Sequence, residues 1–333
     1  MIGAFLKKYW FLVGILTASL LGMLLPQLAV RFNPRSLTTN GIVVALFVIT
    51  GLSLPTDEIW KGIRDLRLHL YLQFFIFILT PAYFLGGLLL LRGVLPATLN
   101  VGILALACLP TTVSSCVVFT QSAGGNAAGA LFSSTLANCL GVVVSPLLLS
   151  FLLKGVHYSL PLSEVARILV NLGLTILVPF TAGQVIRLLF AREFASKNRA
   201  ALGVVSNSLI LAIIFFAFGK SARSELFREG AARLLLPFTY LAFSHLLLVL
   251  ASYAGARLLR LSAGNRIAAI FVAPQKTIAM GLPLLSAYFA ANPAMLAPAI
   301  LPLLFYHPFQ LLVAGLLRGS ALMVRIRAER GTA

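Results

Sequence analysis

The sequence predicts an all-α membrane protein of ten transmembrane helices, arranged as two inverted five-helix repeats. Three observations predict it. Of 333 residues, 60% are hydrophobic and 10% are charged, against roughly 25% charged in a soluble domain. A larger soluble core cannot absorb that gap, because its surface would still need charge. The apolar residues come in runs near the roughly 20 that a spanning helix needs, not in the short alternating segments of a β-barrel. The runs divide five and five, and an odd number of spans per half forces the halves into opposite orientations.

The spans are placed at about 10–30, 38–54, 70–91, 97–123, 127–153, 165–186, 202–219, 234–256, 267–288 and 295–317. The first repeat covers 1–156 and the second 157–333. The start, with Lys7 and Lys8, resembles a signal peptide, but the run that follows is too long and more spans come after it. It is read as span 1. Lysines and arginines orient the chain. Lys7 and Lys8, Lys61 to Arg67, Arg187 to Arg199, Arg257 to Arg266 and Arg318 to Arg330 gather on one side. That side is taken as the cytoplasm, with both termini in it. The loop after span 7 runs against the bias, with four bases beside Glu225 and Glu229.

The formal net charge of +18 would suggest nucleic acid in a soluble protein. Here the bases sit in short loops between apolar runs, so the partner is the bilayer and no nucleic acid is expected. Cys108, Cys116 and Cys139 lie in apolar stretches and form neither a disulfide framework nor a metal spacing. All eight acids fall in loops or tails, so no carboxylate is placed at membrane depth.

The fourth span of each half carries a matching interruption. Span 4 reads Leu109-Pro110-Thr111-Thr112-Val113-Ser114-Ser115, and span 9 reads Ala273-Pro274-Gln275-Lys276-Thr277. A proline removes one backbone donor and frees a carbonyl. Freed groups in a membrane must be satisfied internally or by an ion or substrate. A break also creates a positive helix N-terminus at mid-membrane. Two breaks at equivalent positions, each followed by polar residues, point to a transport site rather than to two kinks. Span 4 is followed by Gly124-Gly125-Asn126 and span 9 by Asn292-Pro293, both read as helix stops.

Lys276 is the most informative residue, a cation about ten residues into span 9 with no acid to neutralise it. Three roles are open to it: binding an anionic substrate, standing as a fixed cation in place of a coupling ion, or taking up and losing a proton. A structural pin on freed carbonyls is the plainer alternative. Thr111, Thr112, Ser114, Ser115, Gln275 and Thr277 offer hydroxyl and amide groups for a carboxylate or, with carbonyls, for Na⁺. Ser133, Ser134, Thr135 and Asn138 form a polar stretch on span 5, where helix–helix hydrogen bonding competes with a ligand role. Gln73 and Gln184 are single membrane amides. His307 on span 10 and His245 on span 8 are either proton relays or neutral core residues.

Pro110 to Ser115, Gly124-Gly125-Asn126, Lys276-Thr277 and the Pro302 to Pro308 run (PLLFYHP) together resemble the bile acid:sodium symporter family, along essentially the whole chain. The likeness is closest to its solute carrier family 10 member 7-like, SBF-like branch. The resemblance implies a panel of spans 1, 2, 6 and 7 and a core of spans 3, 4, 5, 8, 9 and 10. Broken spans 4 and 9 would cross in the core, and substrate would bind between panel and core as the two rock for alternating access. It also implies a sodium site near Ser114, Ser115, Ser134, Gln275 and Gln73. One departure bears on that site. The better-known branch has a glutamate four residues before the glutamine, where this chain has Phe271, and an amide-type residue after it, where this chain has Lys276. A lost anion and a gained cation argue against two bound sodium ions.

The function expected is a secondary active transporter for a small organic anion, coupled either to sodium or to protonation of Lys276, with no other cofactor. A plasma membrane, of the bacterial inner-membrane type, is the expected location. The alternatives are a non-transporting regulator on a transporter scaffold and, last, an intramembrane hydrolase using Ser114 or Ser115 with Lys276.

Overall fold

The computed structural model describes residues 2–55, 62–154, 161–222, 232–289 and 293–329, and every regular element among them is helical. In chain order they are α1 (Ile2–Leu24), α2 (Pro26–Arg31), α3 (Leu37–Ser53), α4 (Leu66–Leu90), α5 (Ala97–Cys108), α6 (Ser114–Ser122) and α7 (Ala127–Lys154). There follow α8 (Leu162–Lys197), α9 (Arg199–Ser221), α10 (Ala232–Leu258), α11 (Ala263–Val272), α12 (Ile278–Tyr288), α13 (Pro293–Leu317) and α14 (Ala321–Ala328). Glu225, Glu229 and Asn292, which entered the sequence reading, lie outside the described residues.

Among the described residues six helices, α4, α7, α8, α9, α10 and α13, are long and apolar enough to cross a bilayer. Shorter apolar helices make up α1, α3, α5, α11 and α12. Large apolar side chains left exposed, among them Leu90, Phe151, Phe190 and Leu258, suit acyl chains and not water. This is a multi-pass membrane protein.

Proline accounts for much of the helix punctuation. Pro26 separates α1 from α2. In span 4 the chain leaves the helix over 109–113, and in span 9 over 273–277. Both are full interruptions, with a new helix starting beyond. The sequence reading did not anticipate three π-helical turns, Phe75–Leu79 in α4 and Gly173–Leu177 and Arg187–Ala191 in α8. A π turn shifts each hydrogen bond from i+4 to i+5. The Thr80 N–H accordingly reaches Phe75 O. The next donor in that register would come from residue 81, which is Pro81 and has none. The Ile76 carbonyl is thereby released.

The chain forms two compact units. The first comprises Met1–Leu54, Ala166–Ala231 and Leu282–Ile300; the second comprises Pro55–Val165, Ala232–Gly281 and Leu301–Ala333. In the first, α1 packs along α9 and α3 along α8. Glycines permit both approaches. A Cβ on Gly22 would meet Phe215 O at 2.6 Å, and one on Gly219 would collide with Ala29. A Cβ on Gly51 would strike Phe180 O, and one on Gly183 would strike Val48 O. The α3 end is closed by Gln184, whose amide donates to Gly51 O and Leu54 O, and by Arg187, whose Nη1 donates to Leu52 O at 2.9 Å. Gln184 is thus packing glue in this unit.

In the second unit α4 and α10 are tied by two tyrosines. Tyr71 donates to Ser252 O at 2.7 Å, and Tyr83 to Ser244 Oγ at 3.0 Å. Gly255 makes room for Tyr71, and Gly87 for Tyr240. Met323 and Ile326 of α14 bury themselves in a cluster with Ala123, Ile267, Ile270 and Phe271. An ion pair between Arg266 and Glu329, 2.5 Å, closes the edge of that cluster. Arg266 also holds the Glu329 carboxyl below its usual range.

Candidate functional site

Interrupting a helix inside a membrane exposes carbonyls, and each exposed carbonyl needs a donor. Five consecutive carbonyls across the span 4 interruption find one. Lys276 Nζ donates to Ala107 O at 2.9 Å and to Leu109 O at 2.7 Å. Ser145 of α7 donates to Cys108 O at 2.8 Å. The Thr277 backbone N–H donates to Pro110 O at 3.0 Å. Asn138 of α7 donates to Thr111 O at 2.8 Å. Thus the span 9 interruption supplies donors to the span 4 interruption, both within the second unit.

The span 9 interruption is closed in turn from α13 and α6. Cys116 Sγ donates to Phe271 O at 3.1 Å. Tyr306 donates to Pro274 O at 2.8 Å, so His245 Nδ1, 3.0 Å from the same phenolic oxygen, must be the protonated nitrogen of that ring. Gln310 grips both faces of residue 276: Lys276 N–H donates to its Oε1 at 2.7 Å, and its Nε2 donates to Lys276 O at 2.8 Å. That pairing fixes the amide orientation. The second Nε2 proton points at His307 Nδ1, 2.9 Å away. His307 Nδ1 therefore accepts and the ring carries its proton on Nε2. Protonating Nδ1 would set two donors against each other.

Lys276 is fully buried. Its third carbonyl partner is Ile76 O, at 3.3 Å, the group released by the π turn and Pro81. A second polar cluster lies beside it. Gln275 Oε1 accepts from Thr112 Oγ1 at 2.7 Å and lies 3.0 Å from Ser115 Oγ. Thr112 and Ser115 are themselves 2.5 Å apart, and Thr111 Oγ1 is 3.2 Å from Cys116 Sγ. The structure thus brings together Thr111, Thr112, Ser115, Gln275, Lys276, Thr277 and His307 of the residues picked from sequence. Ser114 stands exposed on the first turn of α6. Ser134 donates to Leu131 O of its own helix at 3.1 Å. Gln73 donates to Ser133 O at 3.0 Å, while its Oε1 is buried with no partner among the described residues, as is Thr135 Oγ1. A Ser–Lys dyad is not assembled: the hydrogen bonds of Lys276 Nζ run to carbonyls, and Ser115 faces Gln275.

Sequence reasoning missed Gln310, Ser145, Tyr306 and Pro81 as parts of this arrangement. Pro81, five residues beyond Ile76, was the one readable signal for the third carbonyl. It also missed a polar knot at other helix ends. Asp65 Oδ2 accepts from Asn126 at 3.1 Å and Asn265 at 2.9 Å, while Asn126 Oδ1 caps the Gly129 N–H at 2.8 Å. Asn126 therefore ties three helix starts together besides ending a turn, where Gly124 takes φ +75°. His69 accounts for Ser133, with Nδ1 2.6 Å from its Oγ. Among the described residues, no group of three or more His, Cys, Asp or Glu could hold a metal ion.

Relatives are found along nearly the whole chain. A protein named sodium/bile acid cotransporter 7 from Mus musculus is 32% identical over 322 residues, covering 93% of this chain and 92% of its own length. The Danio rerio protein of the same name is 31% identical over 324 residues, covering 94% of each. An uncharacterized protein of Pseudomonas aeruginosa is 32% identical over 314 residues, covering 92% of this chain and 91% of itself. Relatives so named are transporters rather than enzymes. The profile of the SBF-like CPA transporter family matches residues 9–321, nearly the whole chain with both interruptions inside it, and the chain belongs to that family.

Proposed function

We propose that the chain is a secondary active transporter that moves a small organic anion by alternating access, with its site at the interruptions 109–113 and 273–277. The observation that carries this reading is the mutual closure of the two breaks: Lys276 and the Thr277 N–H serve carbonyls of span 4, and Thr112 serves Gln275. Matched breaks that complete one another at membrane depth are a binding-site arrangement of transporters. Positive charge favours an anion. The N-termini of α6 and α12 begin at the breaks, and Ser114 is exposed on the first of them.

The glycine crossings support an inverted repeat of 1–156 and 157–333. Exchanging span 1 with 6 and span 2 with 7 turns the Gly22–Gly219 crossing into the Gly51–Gly183 crossing. The same exchange of spans 3 and 8 relates Tyr71 at Gly255 to Tyr240 at Gly87. Substrate and ion ligands are drawn from Gln73, Thr111, Thr112, Ser114, Ser115, Ser134, Gln275, Lys276, Thr277 and His307. The relatives' name makes a bile-acid-like anion and sodium the first ligands to try; a proton on Lys276 is the competing source of coupling. The location proposed is the plasma membrane of a bacterium, with both termini in the cytoplasm. Uptake of labelled taurocholate and of short-chain carboxylates into proteoliposomes tests the reading. Accumulation that falls in Thr112→Val and Gln275→Leu supports it. Accumulation only of neutral or cationic solutes overturns it.

A further inference from the structure

We infer that the Lys276 ammonium is a tethered replacement for a bound monovalent cation, so that this chain does not take up sodium between the two interruptions. The inference rests on the proposed transport site and deepens it. Three neutral backbone oxygens, Ile76 O, Ala107 O and Leu109 O, converge on Nζ from two elements, α4 and the end of α5, at 3.3, 2.9 and 2.7 Å. Converging carbonyls at unwound helix ends are the ligands that transporters offer to alkali cations. An ammonium has three donors, and here three acceptors meet them. Each oxygen is free for a local reason: Ile76 O because Pro81 offers no donor in the π register, Ala107 O and Leu109 O because α5 stops at Cys108. The end of α5 is also the negative end of its dipole, which favours a cation of any kind.

The ammonium is built in rather than mobile. Gln310 clamps the Lys276 peptide on both its N–H and its C=O, and the side chain is fully buried. Its hydrogen bonds go to carbonyls rather than toward an incoming anion. A sodium ion in the same cage would sit against a fixed positive charge whose hydrogen-bond partners are three neutral carbonyls and, among the described residues, no carboxylate; like charges at that distance in a poorly screened interior repel strongly. Emptying the cage should therefore create the cation site that the lysine now fills.

The test uses the purified full chain in detergent, with apparent melting temperature read at constant ionic strength balanced by choline chloride. Sodium, potassium, ammonium and methylammonium chloride are the probes. The wild type is expected to melt at one temperature in all of them. Lys276→Ala is expected to melt lower and to recover on the order of 5 °C with a saturating small cation. Lys276→Met, which fills the space without charge, is expected not to recover. Sodium stabilisation of the wild type overturns the inference, and so does a folded Lys276→Ala that answers to none of the cations. Should Lys276→Ala fail to fold, the wild-type sodium titration decides alone, flat in support and rising in refutation. Melting reports binding and not flux, so a chain that moves no anion would defeat the transport reading while leaving this result standing.

Discussion

Gln310 offers the sharpest test of how the broken helices are held. Replacing it with leucine keeps a side chain of similar bulk but removes hydrogen bonds of 2.7, 2.8 and 2.9 Å. The Lys276 N–H and the Lys276 carbonyl would both lose Gln310, and only the carbonyl has a substitute, the Nδ1–H of His307, 3.3 Å away, once the ring changes tautomer in the absence of the Gln310 donor. A buried polar group left unpaired costs roughly 1–3 kcal/mol. With one group orphaned and one weakened, the expected loss is about 3 kcal/mol, and the melting temperature should fall on the order of 6–12 °C. Thermal unfolding of the purified protein measures this directly. His307→Leu alone and combined with Gln310→Leu completes a cycle. The two residues share a hydrogen bond, so the double variant should depart from additivity by about 0.5–3 kcal/mol. A Gln310→Leu protein that unfolds together with the wild type would refute the argument, because a water or another side chain would then be closing the Lys276 peptide.

Two further outcomes follow from other parts of the structure. Gly51→Ala and Gly183→Ala each place a methyl against a backbone carbonyl of the partner helix, so each should cost about 1–3 kcal/mol in thermal unfolding, whereas Gly41→Ala, where nothing lies within 4 Å, should cost little. Glu329 has a depressed carboxyl through Arg266, so its contribution to holding α14 is present above the ordinary carboxylate range and is lost as pH falls through the depressed value; wild type and Glu329→Gln should differ in α14 protease protection at neutral pH and converge in acid.

The breaks were legible because Pro110 and Pro274 each precede polar residues in otherwise apolar runs. The membrane class was legible from composition alone. What the sequence could not display was who satisfies whom. Lys276 reads as a stray charge until the carbonyls of Ala107 and Leu109, some 170 positions earlier, are found at its tip. Gln310 lies just past the Pro302 to Pro308 run and looks like one more amide in an apolar helix; its meaning comes from facing a peptide whose own helix has ended. The π turn in α4 escaped because periodicity registers about 3.6 residues per turn and one extra residue blurs the pattern, although Pro81 was in plain view. Where hydropathy predicts ten spans, the described residues hold six long helices and shorter apolar ones, since helix length depends on where proline and unwound segments fall, and hydropathy averages over both. Ser134 was selected by residue type, yet its hydroxyl turns to its own helix, a local bond that polarity counts cannot see.

The central claim is that the paired interruptions 109–113 and 273–277 form the transport site and that Lys276 is indispensable to it. Anion uptake into proteoliposomes, wild type against a folded Lys276→Ala across a pH series, tests it most directly. The account predicts that uptake is lost in the variant across the whole pH series. Uptake in Lys276→Ala with the same rate and the same pH response as the wild type would contradict it.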